Sequence, residues 1–101
     1  MEKEIFEIIW GKNAEKQLSG IFGYIVKDSF QQAEKVIDAI VTQVDAIAKN
    51  PEKFPPDKYK RHNDGSYRAF TKFRYRVSYR VSKKTILVLR IRHTSRKVKP
   101  Y

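Results

Sequence analysis

Hydrophobic and polar positions along the chain change period twice, and the changes mark out its elements. Residues 3–10, Lys-Glu-Ile-Phe-Glu-Ile-Ile-Trp, are β-branched and aromatic and stop at Gly11, which predicts a first strand. Ala14, Leu18, Ile21, Phe22 and Ile25 then recur at helical spacing, predicting a helix over 13–27 with Asn13 as its N-cap. Gly20 and Gly23 weaken that helix by roughly 1 kcal/mol each unless they serve a close helix contact. A second apolar stripe, Ala33, Val36, Ile37, Ile40, Val44, Ile47 and Ala48, predicts a helix over 30–49. Ser29 and Gln32 resemble a capping box at its start, and Asn50-Pro51 ends it, because proline disfavours helical backbone in the residue before it.

After a 17-residue connection over 50–66, rich in proline and closed by Asn63-Asp64-Gly65, the period falls to two. Strands are predicted over 67–73, 74–82 and 85–93. In the middle strand Tyr75, Val77, Tyr79 and Val81 share one face and Arg76, Ser78, Arg80 and Ser82 the other. In the last strand Arg90 and Arg92 lie opposite Leu89 and Ile91. Tyr79, Val81, Leu87 and Leu89 are therefore expected in the core, and Arg74, Arg76, Arg80, Arg90 and Arg92 on a face turned away from the helices. The whole chain, 1–101, reads as one α+β domain in the order β-α-α-β-β-β, an antiparallel sheet covered on one face by an N-terminal helical hairpin.

Charge sharpens this picture. The net charge is +11, but residues 1–57 carry 7 Lys/Arg against 10 Asp/Glu while residues 58–101 carry 15 against one, Asp64. An acidic half is followed by a half of net +14, which suits a nucleic acid or an acidic protein partner. Cysteine is absent, which excludes disulfides and thiolate metal sites. Two histidines, His62 and His93, without matching acids, do not make a metal ligand set, and no glycine-rich phosphate loop is present, so no cofactor is expected. The start, Met1-Glu2-Lys3-Glu4, lacks the regions of a signal peptide and no run is long enough to span a bilayer, so a cytoplasmic protein with no membrane role is expected. A cationic surface with His93 suits metal-independent RNA cleavage, in which a base activates a ribose hydroxyl and guanidinium groups stabilise the phosphorane; a histidine that only ends a strand is the plainer alternative.

Tyr67-Arg68-Ala69-Phe70, Tyr75-Arg76-Val77-Ser78-Tyr79-Arg80-Val81 and Leu89-Arg90-Ile91-Arg92-His93-Thr94-Ser95-Arg96, following the strand and the helical hairpin, resemble the RelE/ParE toxins of bacterial type II toxin-antitoxin systems over essentially the whole chain. The resemblance implies a growth-inhibiting toxin of the plasmid-stabilisation kind, neutralised by a cognate antitoxin protein. RelE-like members cut messenger RNA on the ribosome; ParE-like members poison DNA gyrase without being enzymes. Arg76, Arg96 and Tyr101 match positions of catalytic arginines and a terminal tyrosine in the ribonuclease members, which with His93 leans the reading toward a ribosome-dependent endoribonuclease acting on mRNA. Phe70 stands where those members have a second lysine, and the Arg90-to-Ser95 ending is closer to ParE, so gyrase inhibition is the alternative. Lys58, Lys60, Arg61, Arg68, Arg74, Arg80, Arg90, Arg92 and Lys97 are the expected contacts to nucleic acid or antitoxin.

Overall fold

The computed structural model describes residues 4–101. Its elements are β1 (Glu7–Trp10), α1 (Lys12–Val26), α2 (Phe30–Lys49), β2 (Tyr67–Lys72), β3 (Tyr75–Val81) and β4 (Thr85–His93), the expected order. β1 is shorter than expected: residues 4–6 are not strand, and Lys3 lies outside the described residues. Ser29 caps α2 as anticipated, its hydroxyl accepting from the Gln32 N–H at 3.1 Å. Asn13 does not cap α1. The helix begins one residue earlier, with Gly11 at the N-cap position and no side-chain cap. Gly11 donates its N–H to the Val88 carbonyl at 2.9 Å, and a Cβ there would stand 2.9 Å from that same oxygen. The turn from β1 into α1 thus depends on the absence of a side chain.

The strands lie in the order β1-β4-β3-β2. β2, β3 and β4 are antiparallel, but β1 joins β4 in parallel, so the sheet is mixed rather than antiparallel throughout. The reason lies in the path of the helices. From Gly11, α1 carries on toward the far end of β4, where Gln17 meets Ile91, and α2 brings the chain back so that the Ala48 carbonyl accepts from the Phe6 N–H at 2.9 Å. The connection to β2 therefore starts at the level where β1 began. β2 runs the same way as β1, and two hairpins later so does β4.

The core lies between the sheet and the stripe of α2: Val36, Ile40, Val44 and Ile47 pack against Phe70, Val77, Tyr79, Ile86, Val88 and Ile91, with Ala14 of α1. In β4 the expected parity is overturned. Ile86 and Val88 are buried while Leu87 and Leu89 are only half-buried, as is Val81. The register shifts between Ser78 and Tyr79, which pair with Arg90 and Val88, so Leu89 is an extra residue on β4. Such a bulge reverses which side chains face inward on either side of it, bringing Val88 and Ile91 to one face although they are three apart.

Candidate functional site

The face of the sheet turned away from the helices is built on one carboxylate. Asp57, in the connection between α2 and β2, has a fully buried side chain. Its Oδ1 accepts from Arg76 Nη2 at 2.8 Å and from the Tyr59 N–H at 3.0 Å, and its Oδ2 accepts from the Tyr101 hydroxyl at 2.7 Å. Burial is the largest single influence on its acidity and would raise the pKa. The hydrogen bonds from Tyr101, the Tyr59 N–H and Arg76, with the guanidinium charge, outweigh it and hold the carboxyl below its ordinary value of 3.8. Tyr101 responds in the opposite sense: burial first, then the bond to Asp57 and its charge, push the phenol up to about 12.

The connection itself is ordered by its side chains. Asn63 Nδ2 donates to the carbonyls of Asp57 and Tyr67, while Asn63 Oδ1 accepts from the N–H groups of Gly65 and Tyr67. Phe54 stacks on Phe70 with ring centres 5.0 Å apart. The last residues close over the same face: the Tyr101 N–H donates to the Tyr59 carbonyl, and Arg61 N–H and Lys60 Nζ donate to the Tyr101 carbonyl. Around this clasp tyrosines and cations alternate. Arg76 lies 4.9 Å from the ring centre of Tyr59, Arg80 5.1 Å from Tyr67, Arg90 4.2 Å from Tyr101 and Lys60 4.7 Å from Tyr67. Stacked this way, the Arg80 and Arg90 guanidinium groups keep N–H edges for an anion, whereas Arg76 gives one N–H to Asp57.

The predicted residues divide between two sides. Arg76, Arg80, Arg90 and Arg92 share the outer face, as the cross-strand pairs Arg76–Arg92 and Ser78–Arg90 require. Tyr101 and Lys60 join them, while Lys58, Arg61 and Lys97 are exposed in the adjoining segments. Arg68 pairs with buried Tyr79, so it belongs to the helix side, where Nη1 donates to the Phe54 carbonyl at 2.6 Å. Arg74 is not a strand residue on the outer face. It sits in the two-residue β2–β3 turn, because the strands end at Lys72 and Tyr75. His93 pairs with Tyr75 on the helix side, the two rings edge to face at 5.2 Å. Arg96 is exposed just beyond it. Arg76 and Tyr101 are thus brought together through Asp57, whereas His93 and Arg96 stand apart from them at a cleft between α1 and the end of β4.

That cleft, of about 560 Å³, opens because β1 has four residues beside the nine of β4. Past Val88 the β4 edge has no strand neighbour among the described residues, and Gln17 Oε1 accepts the Ile91 N–H at 2.6 Å in its place. A second, more apolar cleft of about 420 Å³ adjoins it, Tyr75 and His93 bordering both. Asp57 and Gln17 were missed in the sequence. The one available signal for Asp57 is its position, the last acid before the basic half, in a proline-rich loop too long to be idle.

The sequence family described as "ParE toxin of type II toxin-antitoxin system, parDE" matches residues 8–98. A search among curated proteins finds no match. Among solved structures, the chain is similar to one from the chromosomal ParDE toxin-antitoxin system of P. aeruginosa, at 22% identity and TM-score 0.68, covering 89% of this chain and 97% of that one. It is also similar to one from the RelBE2 toxin-antitoxin complex of Mycobacterium tuberculosis, at 15% identity and TM-score 0.66, covering 91% and 94%. At such identities the two structures speak for the fold.

Proposed function

The chain belongs to the ParE toxins of type II toxin-antitoxin systems, and from that premise we propose that it arrests growth by binding DNA gyrase rather than by cleaving messenger RNA, and that a cognate antitoxin neutralises it. One observation carries the choice: Arg76 and Tyr101 are spent on Asp57. A guanidinium whose charge is already offset by a buried carboxylate stabilises a phosphorane less than a free one, and a phenol pushed up to about 12 and already donating its proton is a poor general acid or base near neutral pH. His93 stands on the other side of the sheet from both. A non-enzymatic inhibitor needs none of these groups free; it needs a rigid, charged surface. The acidic gyrase or antitoxin segment that meets the half of net +14 would associate faster at low salt.

The ribonuclease reading keeps one observation in its favour, the alternation of Tyr67 and Tyr101 with Arg80 and Arg90, since aromatic rings and cations side by side also suit unstacked bases and phosphates. The test is induction of the chain, followed by message integrity on programmed ribosomes and gyrase supercoiling in the same preparations. Blocked supercoiling with intact message is expected. Cleaved message with unaffected supercoiling would overturn the proposal.

A further inference from the structure

Like charges directly opposed on neighbouring strands weaken a sheet, yet Arg76 of β3 stands opposite Arg92 of β4 on the outer face. Asp57 offsets Arg76. Arg92 is exposed and forms no ion pair among the described residues, and neither do Arg80 and Arg90. The acid at the middle of this surface is therefore buried and already paired. Glu7, the other strand acid on the same face, lies in register with Thr85 at the opposite edge, on β1. Folding gains nothing from three arginines gathered without acids. An anion laid across β3 and β4 would offset the repulsion between them.

The tyrosines of this face narrow the kind of anion. Each already carries two cations: Arg76 and Lys58 on Tyr59, Arg80 and Lys60 on Tyr67, Arg90 and Lys60 on Tyr101. An unstacked base seeking one of these rings would compete with a cation already there, whereas single-strand readers offer open rings to successive bases. The exposed rings lie elsewhere, Tyr24 in α1, Phe30 at the start of α2 and Phe73 in the β2–β3 turn. What the outer face offers is guanidinium edges at fixed spacing, about 6.6 Å along a strand and about 4.8 Å between strands. A DNA duplex carries about one negative charge per 1.7 Å of its axis, while an extended acidic peptide reaches at most about one per 3.3 Å. The denser charge and the covered rings both favour the duplex.

We propose that the outer face binds the backbone of a DNA duplex, with Arg80, Arg90 and Arg92 on its phosphates, so that the toxin meets gyrase while gyrase holds DNA. The assignment rests on the gyrase reading above. Contacts of this kind position a protein without reading bases, so duplexes of different sequence bind alike. An acidic protein segment is left the cations outside this face, such as Arg74 in the β2–β3 turn and Arg96 beyond β4.

The experiment follows the fluorescence anisotropy of a labelled DNA duplex of about 20 base pairs, of its separated single strand and of a poly-glutamate peptide of similar length, between about 50 and 200 mM salt. The proteins are the full chain and its Arg80→Gln, Arg92→Gln and Lys35→Gln variants. All three side chains are exposed, so each variant should melt at the wild-type temperature. The duplex should bind most tightly, and each arginine variant should make the slope of log K against log salt shallower by about one. Lys35→Gln removes the same charge from α2 and should leave that slope unchanged. A slope flattened equally by Lys35→Gln, or unaltered in both arginine variants, would overturn the assignment to this face. Tighter binding of the single strand or of poly-glutamate would overturn the duplex, in favour of unstacked bases or of a protein. Gyrase supercoiling is scored with the same preparations. Supercoiling blocked by a chain that does not bind duplex would sink this inference and leave the gyrase reading standing; duplex binding through these arginines with supercoiling unaffected would do the reverse.

Discussion

Asp57→Ala would leave the Arg76 guanidinium, 19% exposed in its side chain, without its carboxylate, and would deprive the Tyr101 hydroxyl and the Tyr59 N–H of their acceptor. Breaking a buried pair from one side costs about 3–5 kcal/mol, and we take about 3 kcal/mol because Arg76 retains some access to water. Against a total stability of about 5–15 kcal/mol this is a large fraction. For a chain of this size it lowers the melting temperature by roughly 12–24 °C. Arg76→Met should also destabilise, since it strands a buried carboxylate. The double variant should recover part of the loss, because neither charge is then left alone, and the coupling measured by the cycle should be about 1–3 kcal/mol. The assay is urea unfolding followed by tryptophan fluorescence, with toxicity scored on the same four proteins. A loss under about 1 kcal/mol for Asp57→Ala, with an unchanged denaturant slope, would refute a structural clasp. So would an Arg76→Met protein that is fully stable yet wholly inactive, the signature of a catalytic arginine.

Two further predictions concern pH and one concerns the turn into α1. Asp57 is more acidic folded than unfolded, so its contribution is present above the ordinary value of 3.8 and is lost as pH falls through the lower folded value; Asp57→Asn should flatten the acid limb of the stability profile. Tyr101 and Tyr79, both pushed up to about 12 from 10.0, mainly by burial, contribute stability that is complete below pH 10 and disappears as pH rises through about 12. Tyr101→Phe should reduce that alkaline loss, read by circular dichroism between these values. Gly11→Ala places a methyl 2.9 Å from the Val88 carbonyl oxygen and should cost about 1–3 kcal/mol in thermal unfolding, whereas Gly20→Ala should stabilise slightly.

What the sequence disclosed, and what it did not, follows from how local each signal is. The stripe of α2 and the Ser29 cap are written in consecutive residues, as is the alternation through Tyr75 to Val81, and these were legible. The direction of β1 was not, because it depends on the path of two helices rather than on the composition of the strand. Thr85 to Leu89 is apolar on both faces, so nothing in the run marks Leu89 as the extra residue, and the parity assigned to Leu87 and Leu89 failed there. His93 is a different case. Alternation already places it with Ile91 and opposite Arg92, so its separation from Arg76 is present in the pattern, although its chemistry groups it with the arginines. Asp57 was hidden for a general reason: loops give no periodicity, and an acid buried by one looks like any other surface acid.

The parallel pairing of β1 with β4 also sets when this protein comes into being. The helical hairpin can form from contiguous sequence, but Glu7–Trp10 finds its strand partner only once Thr85–Val88 is available, and the core contributions of Ile86, Val88 and Ile91 arrive with the same strand. Joining the first strand to the last is a contact of long sequence separation, which slows folding relative to a helical protein of equal length. A growing or truncated chain that stops before Thr85 therefore holds its helices over an unfinished sheet. In such a fragment the first strand has nothing to pair with.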